Sequence, residues 1–163
     1  MTNPMQDLKK ANYEHHHSLW KIAQAGDLQS LPKEDQLLAR IMMEHEEYHN
    51  QFEIADLLHD HEYDTESEVN PFLHIIFHQV VENQLESREP IEAFQFYNAM
   101  RKNKISRHET IHCIANIFSY LAYDVFKGIA AFDTEKYKSL LKRYKNKKPD
   151  KIRSSLDREF GTK

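Results

Sequence analysis

The sequence predicts an all-α chain, a helical bundle of about five to six helices with a histidine cluster facing inward. Three observations predict it. Only three of the 163 residues are glycine, too few for the positive-φ turns of an all-β protein. Cap residues followed by proline, or by a glutamate three positions on, recur along the chain. Between these marks apolar residues repeat at helical spacing, and no strand-like alternation or internal repeat appears.

Taken in order, Asn3-Pro4 reads as N-cap and first helical residue and Gly26 as the stop, giving a helix over about 4–25. Pro32 opens a second helix carrying Leu37, Leu38, Ile41, Met42, Tyr48 and Phe52, running to somewhere in 50–58. The polar, acidic stretch 59–69 reads as a loop. Asn70-Pro71 repeats the cap-plus-proline signature and opens a third helix to about Glu86. Pro90 starts a fourth, ending near Asn103. Ser106 with Glu109 forms a capping-box pattern that begins a fifth helix, stopped at Gly128. Asp133 caps a sixth, basic helix to about Asn146, and a charged tail follows from Pro149.

Composition excludes several classes. The chain is 40% hydrophobic and 29% charged, which describes a globular domain rather than a disordered one. One cysteine, Cys113, excludes an internal disulfide framework and a cysteine-rich zinc knuckle. No phosphate loop or dinucleotide fingerprint is present. No apolar run approaches the roughly 18 residues of a membrane span, and no signal-peptide core is seen, so the expectation is a cytoplasmic protein without a membrane partner. The net charge of −4 conceals an asymmetry. Residues 1–135 hold 11 Lys/Arg against 23 Asp/Glu, whereas residues 136–163 hold 11 against 3. This divides the chain into a helical bundle, 1–133, and a basic C-terminal helix and tail, 134–163.

Histidine is the anomaly, with 11 residues. His-x-x-x-His occurs three times, as His45/His49, His74/His78 and His108/His112, each on a different expected helix. Random placement would give on the order of one such pair. At i and i+4 two imidazoles project from one helix face and can grip one ion. On a wheel of about 100° per residue, His45 and His49 share a face with Leu38, Ile41, Met42 and Phe52. His108 and His112 share one with Ala115, Ser119, Ala122 and Phe126. His74 and His78 lie on a helix that is apolar almost all round, beside Val81 and Leu85. Six imidazoles pointing inward need partners, because burying an unpaired polar group costs free energy. A transition metal supplies one. Glu82 continues the row His74, His78, Glu82 as a bridging or second-layer carboxylate, and His15 is a further candidate ligand. Glu46 reads as solvated, Glu109 as the capping-box partner, His59 and His61 as surface residues, and Cys113 as a buried small hydrophobe.

The segments His45-Glu46-Glu47-Tyr48-His49, Asn70-Pro71-Phe72-Leu73-His74-Ile75-Ile76-Phe77-His78 and His108-Glu109-Thr110-Ile111-His112 resemble a small family of bacterial proteins of unknown function. That family carries H-x-x-Y-H, then N-P-F-L-H-x-x-x-H, then H-x-x-x-H. The likeness spans roughly residues 30–125 and implies a shared site without naming its chemistry. The family often has proline after the first histidine, where this chain has Glu46; the resemblance implies a helix break at His45 and a shorter second helix.

These observations point to a metalloprotein. His45, His49, His74, His78, His108 and His112, with Glu82, would bind one or two divalent transition-metal ions, iron or zinc. A redox metal with an open position would act on oxygen species, and zinc would activate water for hydrolysis of a small-molecule substrate. His45-Glu46-x-x-His49 and His108-Glu109-x-x-His112 both match H-E-x-x-H formally, but two inward copies in an all-α chain fit a bundle site better than a peptidase. The alternative is a metal-free interaction or nucleic-acid-associated protein. In that reading Tyr137 and Tyr144, interleaved with the lysines of residues 136–153, would contact phosphates and stack on bases.

Overall fold

The computed structural model describes residues 3–64 and 67–161. Among them the chain is all-α, with eight α-helices and no strand. The helices are α1 (Pro4–Gln24), α2 (Lys33–Glu44), α3 (His49–Glu53), α4 (Pro71–Ser87), α5 (Ile91–Lys102), α6 (Arg107–Phe126), α7 (Thr134–Tyr144) and α8 (Pro149–Phe160). Eight exceeds the five to six expected, for two local reasons. The expected second helix ends at Glu44, and the chain continues as a 3-10 turn (Glu46–Tyr48), α3 and a second 3-10 turn (Ala55–Leu57). From Pro149 the expected charged tail is α8.

The chain divides into two compact units, residues 1–79 and 80–163, with the boundary inside α4. In the first unit, Asn3 caps α1 by accepting from the Met5 amide at 3.1 Å, with Pro4 at the first helical position. Gly26, at φ +76°, closes it: its amide reaches Ala23 and the Asp27 amide reaches Ile22 at 3.2 Å. Helix α1 packs on α2 and α3. Tyr13, Leu19, Trp20, Leu38, Ile41, Met42, Phe52, Phe72 and Ile75 form the core.

In the second unit, Ser106 caps α6 by accepting from the Glu109 amide at 3.2 Å, and Asp133 caps α7 by accepting from Lys136 at 2.9 Å. Helix α6 packs against α5, α7 and α8, and Phe96 and Met100 of α5 and Ile111, Ile114 and Ile117 of α6 are buried. Tyr137, Leu140, Leu141 and Tyr144, at i, i+3, i+4 and i+7, turn one face of α7 wholly inward. Ile152 and Leu156 do the same for α8. The lysines of both helices therefore ride on elements anchored by apolar rows. Among the described residues no helix is long and apolar enough to cross a membrane.

Candidate metal centre

The break between α2 and α3 creates the first candidate ligand. At the last turn of α2 the His45 amide bonds Met42 at 3.2 Å, one residue short of the α-helical register. The Ile41 carbonyl that it leaves is taken by the side chain, with His45 Nδ1–H donating to it at 2.7 Å. A carbonyl only accepts, so Nδ1 carries the proton, and in the neutral ring Nε2 holds the lone pair. His45 is fully buried, and its Nε2 is sealed from solvent. An imidazole held through one nitrogen and offering the other inward is the arrangement metal-binding histidines adopt.

Helix α4 brings the next two rings. Asn70 caps it by accepting from the Phe72 and Leu73 amides at 3.0 and 3.1 Å, which sets the register of His74 and His78. Their ring centroids lie 4.7 Å apart, and 4.9 and 4.5 Å from that of His45. The three imidazoles thus form a triangle, with Tyr48 beside it, 5.4 Å from His74 and nearly parallel to His45 at 6.1 Å. Burial, aided by Glu47, raises the Tyr48 pKa and keeps it a phenol. On α6, His108 and His112 lie one turn apart, with centroids separated by 4.4 Å.

His45, His78, His108 and His112 each offer one ring nitrogen, and these four nitrogens all lie within 4.8 Å of one another. That is close enough to hold a metal ion. With bonds of about 2.1 Å, two nitrogens on one ion sit at most about 4.2 Å apart. Of the four, His45 and His78 are buried, His112 is half-buried and His108 is exposed.

The sequence model of one family, described as a domain of unknown function (DUF1841), matches residues 9–143. The chain belongs to the DUF1841 family. No curated protein and no solved structure matches it. The expectation of a family of unknown function is met, and the match continues past the expected limit near residue 125 into α7.

The remaining candidates of this DUF1841 protein are not among the four. His49 turns away from its i−4 partner His45, because the helix breaks between them: its Nε2–H donates to the Met43 carbonyl at 3.2 Å, and its ring packs on Trp20 at 4.5 Å. His74 adjoins the group without being one of the four. Glu82 is held by Arg107, with Nη2 donating to Oε2 at 2.6 Å. His15 is exposed and pairs with Asp35 at 3.0 Å. Its neighbour His16, passed over in the sequence, is the one that turns inward. Cys113 is buried, and desolvation, with Glu109, pushes its thiol up to about 12, so it offers no thiolate. Tyr137 and Tyr144 are buried, which removes the aromatic stacking that a nucleic-acid contact through residues 136–153 required.

Proposed function

We propose that this protein binds a divalent transition-metal ion through His45, His78, His108 and His112, with His74 at the edge of the site. The observation that carries the reading is the meeting of those four ring nitrogens within 4.8 Å. The His45–Ile41 hydrogen bond supports it, because it fixes that ring with its lone pair inward before any ion arrives.

The donor set favours particular metals. Four neutral imidazoles with no thiolate suit iron, zinc, cobalt or nickel. On a tetrahedral zinc ion they fill every position, which makes the site structural. On an octahedral ion such as iron they leave two positions open for water, oxygen or substrate. The exposed flank at His108 gives solvent a route to such positions. A redox metal acting on a small molecule is therefore the first reading, and zinc-activated water the second.

The test is metal analysis of the purified full-length protein, followed by titration of chelator-treated protein with Fe(II) and Zn(II). About one equivalent is expected. At free metal 100 times Kd the gain is about 2.7 kcal/mol, or roughly 5–10 °C in Tm for a chain of this size. Less than about 0.2 equivalents of either metal after titration, with no rise in Tm, would sink the proposal.

A further inference from the structure

Beside the imidazoles of α6 lies a cleft. It sits between α6 and α8, has a volume of about 400 Å3, and includes His112 in its wall. That volume suits a small organic molecule. His112 is also one of the four metal-candidate histidines, so a molecule in the cleft abuts that ring.

The order of groups along the cleft follows from the helix directions. Tyr120 donates to Asp157 and its ring meets Phe160 at 5.8 Å, while earlier residues of both helices, Glu109 and His112 on α6 with Pro149 and Asp150 on α8, line the same cleft. Helices α6 and α8 therefore run the same way. Counting about 1.5 Å per residue back from the Tyr120–Asp157 level, Asn116 and Arg153 share one layer about 6 Å up. Asp150 and His112 lie about 10–12 Å up, with Glu109 beyond them. Two carboxylates thus stand at the His112 end. One guanidinium, flanked by Asn116 and Ser154, stands at the other. Asp157 is already engaged by Tyr120. Among the described residues Glu109, Asp150 and Arg153 enter no ion pair, whereas Arg107, Lys138, Lys142 and Arg143 each have a carboxylate partner.

We infer that the cleft binds a small zwitterion of the amino-acid class. Its ammonium is held by Asp150 and Glu109 beside His112, and its carboxylate by Arg153 with Asn116 and Ser154. The two ends discriminate. A dianion such as a phosphate monoester meets the carboxylates, and a simple amine leaves the guanidinium without its anion. The cleft's use as a substrate site rests on the metal reading above, but occupancy of the cleft does not, so the two are measured separately.

The experiment is calorimetric titration of the full-length protein, as purified and after chelation, with L-alanine, L-leucine, L-glutamate and L-lysine. Propylamine, propionate and inorganic phosphate are the controls. At least one amino acid should bind in both preparations, at least tenfold tighter than propylamine or propionate. Asp150→Asn and Arg153→Gln should each weaken it at least tenfold with unchanged circular dichroism, and Glu109→Gln by less. All three residues are exposed, so none of these changes removes core contacts. Failure of every amino acid to bind overturns the inference. So does equal binding of propylamine with no effect of Arg153→Gln, or binding of inorganic phosphate in preference to the amino acids. Amino-acid binding by a protein that takes up no metal would leave this inference standing and remove the metal proposal alone.

Discussion

The imidazole of His45 replaces a backbone amide: its Nδ1–H bonds the Ile41 carbonyl at 2.7 Å, where the α-helical hydrogen bond of residue 45 would have been. One contact ends α2, orients the ring and settles its tautomer. Loss of His45 therefore removes both a proposed ligand and a helix terminator, and His45→Ala should lower stability as well as metal content. His108 separates the two effects, because it is exposed and its removal leaves the core intact. We expect His108→Ala to keep the metal-free Tm within about 2 °C while weakening metal binding at least about 100-fold, read by competition against a chelating dye. Equal affinity in His108→Ala and wild type would remove His108 from the donor set.

Glu82 and Arg107 supply a second prediction. The carboxylate is one turn beyond His78, yet its Oε2 accepts from Arg107 at 2.6 Å, and a carboxylate so engaged has one oxygen fewer for an ion. Glu82→Gln should leave metal affinity within about threefold of wild type. Because the pair is half-exposed on the arginine side, it should also cost no more than about 1 kcal/mol in urea unfolding. A drop of tenfold or more in affinity would return Glu82 to the site as a ligand.

What the sequence showed and what it hid have separable causes. Helix starts marked by a cap and proline, or by a capping box, were legible because the cap chemistry is local: Asn3, Asn70, Ser106 and Asp133 each accept from an amide of the first turn of the helix they were read to cap. The end of α2 was not legible from periodicity, since Leu38, Ile41, Met42, Tyr48 and Phe52 keep helical spacing across the break. The termination comes from a side chain competing for a backbone carbonyl, which no hydrophobic pattern records. That same break sends His49 to Trp20, so an i, i+4 spacing in sequence is not an i, i+4 face in space. Helix α8 was obscured differently. Ile152, Leu156 and Phe160 recur at i+4, but the surrounding charges outweighed three apolar residues. His15 and His16 are one residue apart, or about 100° on the wheel, enough to put one outside and the other inside.

His16 gives the pH prediction. It is 8% exposed, its Nδ1–H donates to the Asn12 carbonyl at 2.6 Å, and among the described residues its buried Nε2 has no hydrogen-bond partner. Desolvation lowers its pKa below the ordinary 6.5, against the opposing pull of the Asn12 carbonyl; neighbouring His15 adds to the lowering and Asp35 opposes it. When the folded value is the lower one, the unfolded chain binds the proton first. Stability from this group is therefore complete above about 6.5 and declines as pH falls toward the folded value. Urea unfolding at pH 7.5 and 5.5 should show a smaller acid loss in His16→Leu than in wild type, with the two proteins within about 1 kcal/mol at the higher pH. Parallel losses in both proteins would mean that His16 does not titrate with folding.

Tyr137 decides what the basic C-terminal segment is for. Its hydroxyl donates to Gln84 Oε1 at 2.7 Å, and its ring packs against Phe118 and Phe132 at 5.7 Å from each, with 1% of its surface exposed. Those contacts make it a strut of the second unit. Tyr137→Phe removes only the hydrogen bond and should cost about 1 kcal/mol, whereas Tyr137→Ala leaves a cavity and should cost about 3–5 kcal/mol. A base-stacking role predicts the reverse pattern: little change in stability and a marked loss of retention on immobilised single-stranded DNA at low salt. Chemical denaturation and DNA retention, measured on the same two variants, therefore separate a packed aromatic from a binding one. We expect the stability series to follow the packing, with any residual salt-sensitive retention carried by lysines alone and equal in both variants.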